Sequence, residues 1–327
     1  MKRKFIALLL TLFTLTALLA GCGGGTGGTK APEKKAAAPL KELKVTYVKA
    51  PLNIPSIVDK FNQTIVKGFE KDGTKVSFPE ITSGAKQTEA LAAGSLDIAS
   101  CLGGTSAILA ASNGVDVKVV GIYSRAPKAF NIMVKDPAIK TAADLKGKRV
   151  AGPKGTILHQ ILAAALVKEK LTLKDVEFRS VGIPPAVNAL LSGEADAALV
   201  AGAEVLRAQR AGARILANGD GLVNATIVIG VGGKFLKEHP EAVKKFMALH
   251  QESIDFMKKN PDKAFEFTAK ETALSVEDVK LMAPWYDFST AITPKDLKDL
   301  EETQDFLIAN DMQKKKIDIK SMIAEVK

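Results

Sequence analysis

The sequence predicts an α/β protein built as two similar halves, each a mostly parallel sheet flanked by helices. One observation is alternation: short apolar, β-branched runs recur between longer segments of helical spacing, the pattern of strands joined by crossover helices. A second is an internal echo. Glu89 to Ala99 matches Asn188 to Ala198, with Ala90/Ala189, Leu91/Leu190, Gly94/Gly193, Asp97/Asp196 and Ala99/Ala198 recurring at one fixed offset of 99. Each copy reads as a helix end, a glycine C-cap and the entry into a strand, and two copies suggest paired lobes rather than a solenoid. The third is the run from Lys148 to Val167. There a short strand gives way to a turn, Gly152 to Gly155, and then to apolar residues at helical spacing: Leu158, Ile161, Leu162 and Ala165.

Taken in order, Leu43 to Val48 is the first expected strand, followed by Ala50-Pro51-Leu-Asn-Ile-Pro55. Ser56 to Lys71 reads as one helix, with Ile57, Phe61, Ile65 and Phe69 on one face at spacing four. Val76 to Ile81 is the second strand, Gly84 to Ala93 a helix, and Leu96 to Ser100 the third strand. Gly103-Gly-Thr-Ser106 opens a helix through Ala111, and Val117 to Tyr123 is a fourth strand. After Ser124-Arg-Ala-Pro127 a second series begins with Phe130 to Val134 and the Lys148 strand. It continues with a strand from Val176 to Val181, a helix from Ala186 to Ser192, and strands at Ala197 to Val200 and Arg214 to Ala217. Ala225 to Val231 is another β-branched run. Beyond it the pattern turns helical, over Pro240 to Lys259, Pro261 to Lys270, Val276 to Met282 and Pro294 to Asn310.

At 327 residues the chain can bury a large core and form two domains. Its formal charge of +10 overstates the folded part: Lys2, Arg3 and Lys4 carry three charges, and residues 22–42 add two more, leaving +5. With no Arg/Lys stripe and no cluster of base-stacking aromatics, nucleic acid is not an expected partner. Lys2 to Lys4 form a basic n-region, and Phe5 to Ala20 is an apolar run too short for a confident membrane span. It ends in Leu19-Ala-Gly-Cys22, which resembles a bacterial lipobox. That resemblance implies a signal peptide over 1–21, a mature N-terminus at Cys22 carrying lipid, and an extracytoplasmic, membrane-anchored protein. A glycine-rich tether is expected over 22–42. Cys101 is the other cysteine; it ends an apolar strand and is expected to be a small core residue.

The Gly152 to Thr156 turn has a chemical reading. A strand end, a glycine turn and a helix start bring free backbone N–H groups, the positive helix end, the Thr156 hydroxyl and Lys154 together. That is a seat for a small anion, with a tight turn that binds nothing as the alternative. The motifs Asp144-Leu-Lys-Gly-Lys-Arg-Val-Ala followed by Lys154-Gly-Thr156 and His159, the two Ala-Leu-x-x-Gly-x-x-Asp segments and the lipobox occur here in one order. Together they resemble the ABC-transporter substrate-binding proteins of the nitrate, sulfonate, taurine and thiamine-precursor group, most closely over residues 43–250.

The resemblance implies the two-lobed periplasmic-binding-protein fold of type II, with the lobes joined by two crossover strands and ligand held between them. Lobe one would be 43–126 plus 227–327, and lobe two 127–226. It places ligand at the carboxyl ends of strands: Pro51, Leu52, Asn53, Gly103, Gly104, Thr105 and Ser106 from one lobe; Lys154, Gly155, Thr156, Pro184, Pro185, Ala201 and Gly202 from the other. Asn224 and Arg125 lie near the crossovers. Ala201-Gly-Ala203 stands where many members carry an aromatic and a proline, which suggests room for a larger ligand. The cluster Trp285-Tyr-Asp-Phe288 could supply an aromatic wall, with a structural role the first expectation, and a stacked pyrimidine could draw only on Trp285, Tyr286 and Tyr123.

The implied partners are a small organic anion, sulfonate-like, and an ABC permease; a monomer without cofactor or metal is expected. A thiamine-precursor pyrimidine is the competing ligand, and a pyrimidine-synthase-like enzyme the competing class. His159, His239 and His250 show no metal-ligand or triad spacing, and P-loop, Rossmann and nucleophile-elbow motifs are absent. His250 shares a helix face with Phe246 and Ile254, so a packing role is expected of it.

Overall fold

The computed structural model describes residues 39–326; the targeting segment, Cys22 and the tether through residue 38 lie outside the described residues. The first series contains β1 (Glu42–Lys44), β2 (Lys75–Ser77), β3 (Ile98–Gly103) and β4 (Val117–Arg125). The second contains β5 (Phe130–Val134), β6 (Arg149–Gly152), β7 (Glu177–Ser180), β8 (Ala197–Ala201) and β9 (Arg214–Asn218), and β10 (Thr226–Gly232) follows.

Two sheets result, and they share one plan. The second runs β7-β6-β8-β5-β9, with β6 parallel to β7 and β8, and β5 antiparallel to both its neighbours. In the first, β10 lies antiparallel between β3 and β4, and β1 pairs in parallel with β2. Val45 bridges Ile98 in parallel and the Thr46 N–H donates to the Ile98 carbonyl, which joins these pieces in the order β2-β1-β3-β10-β4. In each sheet the fourth strand is the antiparallel one, and each is the strand by which the chain enters from the other sheet. The central strands β5, β8 and β10 are buried along their whole length. That is why, apart from Asn131 and Thr226, they read as apolar runs and not as alternating ones.

The internal echo has a physical cause. Before β3 and before β8 an aspartate turns back onto the neighbouring strand: Asp97 Oδ2 accepts from the Lys44 N–H at 2.8 Å, and Asp196 Oδ2 from the Arg149 N–H at 2.9 Å. Gly94 and Gly193, at φ +67° and +81°, reverse the chain just ahead of them.

Helices cover both sheets: α1 (Ile54–Asn62), α2 (Thr64–Glu70), α3 (Gly84–Ala92) and α4 (Gly104–Ser112) in the first series, α5 (Ile157–Lys168), α6 (Ile183–Ser192) and α7 (Ala203–Arg210) in the second. The C-terminal set is α8 (Gly233–Glu238), α9 (Pro240–Lys259), α10 (Pro261–Thr272), α11 (Val276–Met282), α12 (Pro294–Ala309) and α13 (Ile319–Met322). Among the described residues no helix is long and apolar enough to cross a membrane.

One expected helix is two. The face running from Ile57 to Phe69 breaks at Gln63, which takes φ +57°. The buried Asp59 carboxylate accepts from the Ile65 N–H at 2.8 Å and so starts α2 afresh. Burial pushes the Asp59 carboxyl up to about 6 against that bond.

Candidate functional site

The helices α1, α3, α4, α5, α6 and α7 each leave the carboxyl end of a strand, and all six begin without a side-chain cap. The starts of α2, α8, α9 and α10 also lack a cap from their N-cap side chain, whereas α11, α12 and α13 are capped by Ser275, Thr293 and Asp318. First-turn N–H groups have no partner inside their own helix. At α4 and α5 neither first turn holds an acidic residue either.

These two helix starts, one from each sheet, meet. Ser106 Oγ donates to the Gly155 carbonyl at 3.0 Å, and Thr105 Oγ1 to Gln160 Oε1 at 2.6 Å. Ile157 packs beside Gly103, and Leu109 beside Gly155. Two positive helix ends thus face each other, an arrangement that repels unless a negative group lies at the junction.

A second meeting point lies between the loops after β1 and β8. Gly202 adopts φ +63° and ψ −137°, open to glycine alone, and the space a Cβ would take is filled by the Pro51 backbone. The small residues at 201–203 therefore do not open a wall as expected. Ala201 is buried at the end of β8, Gly202 lets Pro51 approach, and Ala203 starts α7.

Of the other candidates, Leu52 and Asn53 are fully buried, and the Asn53 amide donates to the carbonyls of Val48 and Ala50. Gly104 packs against Leu300 and the Thr226 carbonyl. Thr156 sits at the N-cap position of α5, but its hydroxyl donates to the Pro153 carbonyl at 2.9 Å and caps nothing. Lys154 is exposed, as are Pro184 and Pro185 in the first turn of α6, and Asn224 in the loop before β10.

Arg125 does not reach the junction. Its five N–H donors are spent on both Asp296 oxygens, Asp287 and the carbonyls of Ser289 and Ala291. The aromatics largely pack in the core: Tyr123 is fully buried, Tyr286 is buried in a stack with Phe288, and Trp285 is half-buried.

The histidines pack. His250 lies between Tyr123 and Phe246 at ring distances of 5.3 and 6.1 Å. His159 rests on Phe178 at 4.6 Å, and its Nδ1 faces the Gly155 N–H at 3.4 Å. Burial lowers both to about 4, helped at His159 by Lys154. Unfolding restores a value near 6.5, so the unfolded chain takes up their protons first, and stability present above pH 6.5 drains away as pH falls toward 4. Asp59, raised in the fold, works in the opposite sense below about pH 6. The net expectation is a loss of about 3 kcal/mol between pH 7.5 and pH 5. Urea unfolding at the two pH values checks it, and equal midpoints would contradict it. Among the described residues no group of three or more His, Cys, Asp or Glu could hold a metal ion.

Comparison with known proteins places this geometry. The family described as NMT1/THI5 like matches residues 66–264. A Bacillus subtilis (strain 168) protein named "Putative aliphatic sulfonates-binding protein" is 29% identical over 99% of this chain and 95% of its own length. The alkanesulfonate-binding protein SsuA of Xanthomonas axonopodis pv. citri, solved bound to MOPS, superposes with a TM-score of 0.80 at 24% identity, over 88% of this chain and all of that one. The desulfurization enzyme DszB shares the fold at a TM-score of 0.60 and 16% identity, over 87% of this chain and 96% of its own. The fold is the two-lobed periplasmic-binding-protein fold.

Proposed function

We propose that this chain, which belongs to the NMT1/THI5-like family, is an extracytoplasmic solute-binding protein that captures a small organic anion between its lobes and delivers it to an ABC importer. The lobes are 43–126 with 227–327, and 127–226. Lipid on Cys22 holds the protein to its membrane.

The observation that carries this reading is the pair of uncapped helix starts, α4 and α5, in contact with one another and with no acidic residue in either first turn. A singly charged oxyanion between them would relieve the repulsion and accept several N–H bonds at once. Neutral backbone N–H donors suit a sulfonate better than a polyphosphate, which calls for clustered arginines. The relatives' names agree with that choice. A stacked pyrimidine fits less well, since Tyr123 and Tyr286 are buried in the core. A binding role, with no chemistry performed, agrees with the relatives over the whole chain; its fold alone is shared with an enzyme.

A thermal-shift panel of nitrate, alkyl and aryl sulfonates, carboxylates and hydroxymethylpyrimidine tests the proposal. At a hundredfold excess over Kd, a sulfonate should add about 2.7 kcal/mol and raise Tm by roughly 5 °C or more. Stabilisation by the pyrimidine alone would overturn the assignment.

A further inference from the structure

The two lobes touch through a chain of polar side chains that ordinary ligand contacts do not require. Gln160, one turn into α5, is 3% exposed. Its Oε1 accepts from Thr105 Oγ1 of α4 at 2.6 Å, and its Nε2 donates to Thr303 Oγ1 of α12 at 3.4 Å. Thr105 is itself 2% exposed. Beside this bridge, Ser106 Oγ donates to the Gly155 carbonyl, and the N–H of the same residue faces His159 Nδ1. A glutamine so enclosed is satisfied only while the helices stay together. Parting them leaves the amide and the two hydroxyls to find water instead.

We propose that Gln160 is a positioning residue for ligand capture: it latches α5 of one lobe to α4 and α12 of the other and so sets the closed-to-open ratio. The inference rests on the two-lobed solute-binding reading above. It adds that part of the closing energy is built into the protein and is not drawn from ligand. The bonds concerned join protein groups only, so the latch acts on closure whatever small anion is bound. Its effect on affinity passes through the population of the binding-competent form. The first turns of α4 and α5 then stay covered for as long as the latch holds.

That cover supplies the readout. First-turn N–H groups lack partners within their helix, so their hydrogen exchange is slowed chiefly by closure of the lobes. Gln160→Met keeps the side chain's length and removes both bonds. In the ligand-free full chain it should speed exchange at residues 104–106 and 157–159 about tenfold, equivalent to about 1.4 kcal/mol, while β10 and α9 exchange as before. Thr105→Val should reproduce most of this effect, and combining it with Gln160→Met should add little, since both remove the shared Thr105–Gln160 bond. Unchanged exchange in the two first turns would overturn the proposal. So would a uniform rise across the fold, which would mark Gln160 as a core residue only. The functional reading stands or falls separately: a variant with normal exchange in a protein that binds sulfonate refutes the latch alone, and a working latch in a protein that binds nothing from the panel refutes the function alone.

Discussion

Gly202→Ala should lower ligand affinity by at least about a hundredfold, close to 3 kcal/mol, while the protein still folds. Two costs act together. The backbone at φ +63° and ψ −137° is closed to residues with a Cβ, and the new methyl would lie 2.5 Å from the Pro51 carbonyl carbon and inside the radius of its oxygen. The obstacle is backbone, so no rotamer change relieves it. It acts only where the loops after β1 and β8 meet, and an opened molecule escapes most of the clash. Far-UV circular dichroism should therefore stay native-like while calorimetric affinity collapses. An alanine variant that binds as tightly as the parent would show that these loops do not close on ligand.

Arg125→Met should destabilise the fold by about 3–5 kcal/mol, with a fall in Tm of roughly 10 °C. Arg125 ends β4, just before the chain crosses to the second sheet, and ties that point to the segment from Asp287 to Asp296. The Asp296 side chain is 1% exposed. Burial alone would raise its carboxyl, yet bonds from Arg125 and from Thr293 at the start of α12 hold it below the ordinary aspartate range. Removing the guanidinium leaves that carboxylate buried without its main partner, and the carbonyls of Ser289 and Ala291 lose their donors. The nearby exposed Lys298→Met should change stability by less than about 0.5 kcal/mol. A difference between the two variants smaller than that would mean that Arg125 is merely a surface residue.

Much of this fold is legible in the sequence, for identifiable reasons. The bounds of β5, α9 and α11 agree with the periodicity. Proline at the first turn marks where α9, α10 and α12 begin. The repeated aspartate and glycine pair announce the shared plan because each copy performs the same local task at a strand entry.

What escapes the sequence is decided by partners far along the chain. The break at Gln63 depends on a buried Asp59 whose capping bond no local pattern reveals. Ala203 to Arg210 is assigned no element from the sequence, and α7 forms there because Val205, Leu206 and Ala208 find a core to enter. Gly202 reads as an opening in a wall, whereas its missing side chain accommodates the backbone of Pro51, about 150 residues earlier. Arg125 reads only as a residue near the crossovers, because its acceptors lie more than 160 residues downstream. At the junction itself, the glycine turns and hydroxyls of both helix starts were visible as motifs. Gln160, which holds them together, was not, because a glutamine within an apolar helix carries no signal of its partners.

A crystal structure of the complex with a short alkanesulfonate tests the central claim most directly. Sulfonate oxygens should lie within hydrogen-bond reach of first-turn N–H groups of both α4 and α5, with the Pro51 and Gly202 loops in contact. A sulfonate held by one lobe only, or bound at exposed Lys154 away from the α4 start, would contradict it.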